Sequence, residues 1–155
     1  MKDSKYSKVE DLLYSYPMLK VSVANLKLDL EEAVEELQLD MQSKDKVSSS
    51  KYDNAPNKEA ANIVTQERIE RIENSIRSKE RVIKKIDNAL TVLSEKDRKV
   101  IELYYFEKMM VEGIANHMDV SISNVTFHKR NTLSILQDVL LIEGEEYNGH
   151  HKRKD

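Results

Sequence analysis

The stretch LSEKDRKVIELYYFEKMMVEGIANHMDVSISNVTFHKRNTLSILQDVL, Leu93 to Leu140, decides the fold. It carries three helical patterns, and the last two read as helices crossing over a tight turn. Ile114, Ala115, Met118, Val120 and Val125 hold the apolar spacing of such a crossing, with the small Ala115 where the second helix passes close. Asp119 falls where the turn asks for a residue tolerant of left-handed dihedrals, and Ser121 is placed to cap the next helix. This is the pattern of a helix-turn-helix, and it points to double-stranded DNA as the partner.

Just upstream, Ser94 opens SEKD, a Ser with an acidic residue three positions on, which is a capping-box-like helix start with Asp97 in place of the stronger Glu. The helix it starts carries Val100, Ile101, Leu103, Tyr104 and Phe106 inward and ends near Glu107. MMVEGIANHM follows as the first helix of the motif, and Gly113 inside it costs about 1 kcal/mol relative to Ala.

At about 100° per residue, with Val125 taken as inward, Thr132 and Leu136 also point inward while Val139 and Leu140 straddle that direction. The opposite face holds Ser123, Phe127, Arg130 and Ser134, flanked by Asn124, Thr126 and Asn131. Ser123 and Asn124 lie near the helix start, where base edges are read; Asn can pair bidentately with adenine, and Phe127 can rest on a thymine methyl. Arg130 and Asn131 are placed for phosphates. Lys129 is expected to lay its stem along the core edge with the ammonium reaching outward. His128, at a position that usually holds an apolar residue, is expected to be partly buried and neutral, with no ligand role.

Upstream lie two long apolar seams. Val9, Leu12, Tyr16, Leu19, Val23, Leu26, Leu30, Ala33 and Leu37 recur at alternating steps of three and four, and Pro17 predicts a break between a short helix ending near Tyr16 and a longer one from Pro17 to about Gln42. Ile69, Ile72, Ile76, Lys79, Ile83, Ile86, Leu90 and Leu93 form the second seam, with Ile63 and Val64 leading in and Lys79 as its one polar member. The two seams fold back as an antiparallel hairpin or pair with another chain, and leftover seam surface predicts a homodimer. The acidic run Asp29, Glu31, Glu32, Glu35, Glu36 and Asp40 reads as a solvated face.

The expected organisation is all-α: N-terminal helices over 1–42, a flexible linker over 43–57, a second long helix over 58–92, the helix-turn-helix domain over 93–142 and a disordered tail over 143–155. The linker, SKDKVSSSKYDNAPN, and the tail, with His150 and His151, lack apolar periodicity. No complete metal site is spelled out.

Composition narrows the function classes. A chain of 155 residues, 34% charged, with three Gly and two Pro, has room for one or two small helical units. No segment approaches the roughly 18 apolar residues of a membrane span, and MKDSKYSKVEDL has no apolar signal region, so a cytoplasmic location is expected. With no Cys, no Gly-rich phosphate loop and no converging His and carboxylate cluster, neither an enzyme nor a cofactor is expected. The net charge is −3, and Leu93 to Leu140 holds six Lys or Arg (96, 98, 99, 108, 129, 130) against seven Asp or Glu (95, 97, 102, 107, 112, 119, 138). DNA affinity must therefore be local, shared in a dimer or assisted by a partner.

The opening LSEKDRKVIELYYF, Ile114 with Ala115, and Asp119 to Ser121 resemble region 4 of the bacterial sigma factors, which reads the promoter −35 element. With LLYSYPMLK and RVIKKIDNALTVLSEKDRKVIELYYFEK, the whole chain is similar to phage-encoded sigma-like regulators of the ArpU and RinA type, activators of late phage genes. The resemblance implies base contacts at Ile122, Ser123 and Phe127, backbone contacts at Thr126 and Asn131, and RNA polymerase as a second partner. Ile, Ser and Phe replace the charged and amide residues of a typical −35 reader, so a different target is implied. The N-terminal half lacks the basic and aromatic clustering of a promoter-melting domain, which excludes a stand-alone sigma factor. Two other readings fit the same pattern: a DNA-packaging recognition subunit of the small terminase kind, and a helical adaptor whose helix-turn-helix no longer binds DNA.

Overall fold

Helix α1, Ser7–Asp45, runs without interruption through Pro17. The break expected there does not occur. Proline removes the bond from position 17 to the Leu13 carbonyl, at a cost of about 3 kcal/mol in a helix interior. Tyr16 before it and Val23 after it are both buried within one compact unit, and this burial offsets part of that cost. Helix α2 spans Pro56–Leu90, α3 Glu95–Ile101, α4 Val111–Met118 and α5 Ile122–Val139, with a π-helical turn, Glu102–Phe106, continuing α3.

The computed structural model describes residues 5–45 and 56–140, and among these it contains no strand. The expected linker core, 46–55, and the expected tail lie outside the described residues. Both long helices reach further than expected, to Asp45 and back to Pro56.

The described residues form two compact units. The first, Ser15–Lys85, is an antiparallel helical hairpin within one chain. Low-numbered residues of α1 meet high-numbered residues of α2: Lys79 Nζ donates to Ser22 Oγ at 2.5 Å, Lys27 pairs with Glu80 at 2.9 Å, and Glu36 accepts from Arg68 at 3.4 Å. The polar seam residue Lys79 thus has a polar partner on the facing helix, as a register-setting position requires. Tyr16, Val23 and Ala33 from α1 and Thr65 and Ile76 from α2 are buried.

Ile63 and Val64 do not lead into this seam; they are exposed. The in-phase residue is Thr65, four before Ile69, and it is buried because its hydroxyl donates to the Ala61 carbonyl at 3.0 Å.

The second unit holds residues 5–14 and 86–140 of the described chain. Its core gathers Val9 and Leu13, Ile86, Ala89 and Leu90, then Val100, Ile101, Leu103, Tyr105, Ile114, Ala115, Val125, Thr132, Leu133, Leu136 and Leu140. Val139, expected to straddle the core, is exposed.

The π-helical turn explains why Tyr105, rather than Tyr104 or Phe106, is the deeply buried aromatic. Its bond from Glu107 N to Glu102 O, 3.0 Å, reaches back five positions instead of four and rotates the side chains beyond it relative to an α-helix. The Tyr105 hydroxyl donates to Glu10 Oε1 at 2.9 Å, and its ring packs edge-on to Tyr14 with centroids 4.9 Å apart. Burial foremost, and then the bond to Glu10, raises its phenol well above the ordinary value.

Candidate nucleic-acid interface

Helix α4 ends at the residue the turn requires. Asp119 is left-handed, φ 56° and ψ 49°, and Val120 N reaches back to Ala115 O at 3.0 Å while Asp119 N reaches Asn116 O at 3.4 Å. This pair of bonds is a Schellman motif, which satisfies two otherwise orphan carbonyls. Ser121 then caps α5: its backbone is extended and its Oγ accepts from Asn124 N at 3.1 Å. Ile114, Ala115 and Val125 join Val100 and Leu103 in one buried cluster flanked by Met118 and Val120. The crossing read from the sequence is the crossing observed.

At the other end of the motif, Ser94 Oγ accepts from Asp97 N at 3.2 Å, which is half of a capping box. The returning half is replaced. Asp97 Oδ1 instead accepts from His128 Nδ1 at 2.6 Å, tying the start of α3 to the middle of α5. His128 is half-buried as expected, and the carboxylate partner, 31 residues away, is what sequence reasoning missed.

Lys129 differs from expectation more clearly. Its ammonium does not reach outward but sits 3.9 Å from the centroid of the Tyr104 ring, a cation–π contact.

The residues expected to meet DNA are arranged as follows. Ile122, Ser123, Thr126, Phe127, Arg130 and Asn131 are all exposed on α5. Ile122 is 51% and Phe127 66% exposed, high values for large apolar side chains. The Phe127 ring stands edge-on to the His128 imidazole, with centroids 5.5 Å apart and planes at 81°. Thr126 Oγ1 donates to the Ile122 carbonyl at 3.1 Å, which commits its only proton to the helix itself.

Asn124 departs from this group. It is half-buried, and its Oδ1 is enclosed without a hydrogen-bond partner. In this conformation its amide oxygen is turned away from solvent. An adenine-reading pose would require the side chain to swing out.

Comparison with known proteins is consistent with this geometry. Residues 89–138, about a third of the chain, match the family model described as Sigma-70, region 4. Neither the curated proteins nor the solved structures yield a match. The chain thus carries, after a long N-terminal helical region, a helix-turn-helix of the sigma-70 region 4 kind, and no helix among the described residues is long and apolar enough to cross a membrane.

Proposed function

We propose that this protein is a sequence-specific DNA-binding transcriptional regulator that presents α5 to the major groove. The observation that carries the reading is the exposed face Ser123, Phe127, Arg130 and Asn131 on the second helix of a well-capped helix-turn-helix. Ile122, Ser123 and Phe127 meet base edges, Asn131 meets the sugar-phosphate backbone, joined by Thr126 once its hydroxyl leaves the Ile122 carbonyl, and Arg130 supplies the charge on this face. Asn124 joins them once its amide turns outward.

The likeness to phage sigma-like regulators supports a role as an activator of phage or prophage late genes, working in the bacterial cytoplasm, with RNA polymerase as the second partner. A weakly charged reading face fits a protein whose hold on DNA is shared. Homodimerisation through the long helices is part of the same reading: Met18, Val21 and Leu28 remain exposed on α1 at spacings of three and seven, an apolar stripe the hairpin does not cover. A dimer would double the phosphate contacts that one copy lacks.

The test is selection of bound DNA from a random library by the purified full chain, with its mass in solution measured by light scattering. An enriched motif, split into two half-sites for a dimer, supports the regulator. A ring-sized assembly favours the packaging subunit. No enrichment at low salt overturns the reading in favour of a helical adaptor.

A further inference from the structure

Resting on the DNA-binding reading above, we infer that α5 recognises its site chiefly through thymine methyl groups, with Phe127 and Ile122 as the residues that set specificity. The groups this face can offer decide which base features it reads. Guanine is read by a bidentate Arg or Lys and adenine by a bidentate Asn or Gln. In the first two turns of α5, from Ile122 to His128, neither Arg, Lys nor Gln occurs, and the single Asn, Asn124, reads adenine only after its enclosed amide oxygen turns outward, which makes it a secondary contact. The proton of Thr126 is committed to the Ile122 carbonyl. Ser123 alone keeps an exposed hydroxyl there without such a bond to the helix.

What these turns present instead is apolar. Phe127 and Ile122 are the large exposed apolar side chains there, 66% and 51% exposed. The thymine C5-methyl is the one apolar feature that any base edge shows in the major groove. The Phe127 ring stands edge-on to His128, which Asp97 holds in turn, so its open face is the one left to meet such a methyl. Ile122 lies five residues before Phe127, about 7.5 Å along the axis and about 140° around it. The two side chains therefore reach different base pairs, and the site holds at least two thymines.

Replacing thymine by uracil removes the methyl and leaves base pairing intact, so it tests the inference without altering the protein. The full chain is titrated against its selected site and against versions in which each thymine is singly replaced by uracil. The expected result is a loss of about four-fold for each contacted methyl, the ratio that burying one methyl-sized group provides. At one of these positions the loss vanishes for Phe127→Ala, and at another for Ile122→Ala. A selected site that binds equally well with uracil at every thymine overturns the inference and leaves the DNA-binding reading standing. A library that yields no site removes both.

Discussion

His128 Nδ1 lies 2.6 Å from Asp97 Oδ1, and this bond joins the first turn of α3 to the middle of α5 across 31 residues of sequence. Both side chains are largely withdrawn from water, 20% and 11% exposed, so losing either one leaves the other poorly solvated. A hydrogen bond to a charged group contributes about 1.5–3 kcal/mol, and an abandoned buried partner costs a comparable amount. His128→Ala and Asp97→Ala are each expected to lower stability by about 2 kcal/mol in urea unfolding. The double variant is expected to lose less than the sum, with a coupling of about 1–2 kcal/mol. Additive losses would mean that the two groups do not interact in solution.

Gly113 offers the opposite experiment. It sits inside α4, and a Cβ added there would meet only the Met109 Cε atom, at 3.6 Å, an ordinary contact. Gly113→Ala is therefore expected to stabilise the protein by about 0.5–1 kcal/mol, through the smaller backbone entropy of the unfolded chain. Thermal unfolding checks this, and a lowered midpoint would show that α4 packs more tightly than the described contacts imply.

Alkaline pH is expected to weaken the second unit. Burial first, and the bond to Glu10 next, hold the Tyr105 phenol protonated well above its ordinary range; burial and the neighbouring Tyr104 hydroxyl push Tyr14 up to about 12. Both folded-state values lie above the unfolded one, so the stability they carry is present in full below about pH 10 and is lost as pH rises from there. For Tyr105 the slope is about 1.4 kcal/mol per pH unit. Urea midpoints between pH 8 and 11.5 are expected to fall steeply above pH 10, and Tyr105→Phe to flatten that fall while lowering stability at neutral pH. An unchanged slope in the variant would place the sensitivity elsewhere.

The motif was readable because its information is local. Asp119 and Ser121 announce a left-handed cap and a helix start within three residues, and Ile114, Ala115 and Val125 fall on one face by helical period alone. Departures arise where a distant partner or a changed period decides. Pro17 marks a break only if nothing on either side rewards continuity, and Tyr16 before it and Val23 after it are buried in the same hairpin. Val64 has more β-branched apolar character than Thr65, yet Thr65 is in phase with Ile69 and finds the Ala61 carbonyl for its hydroxyl. Tyr105 turns inward because the bond from Glu107 to Glu102 widens the helix there, which an α-helical wheel does not anticipate. The candidate face was legible as a direction, whereas the enclosure of the Asn124 oxygen and the hold of Tyr104 on Lys129 depend on neighbours the helix itself does not contain.

Whether the exposed face of α5 grips a specific DNA site is tested most directly by the affinity of Phe127→Ala and Arg130→Ala for the selected site, read beside circular dichroism. Both positions are exposed, so helix content is expected to stay at the parent level. Arg130→Ala is expected to weaken binding to all sequences alike and to lower the salt dependence by about one phosphate contact. Phe127→Ala is expected to weaken binding to the selected site while sparing random DNA. If both variants fold and bind the selected site as tightly as the parent, α5 does not face DNA through this surface and the account is wrong.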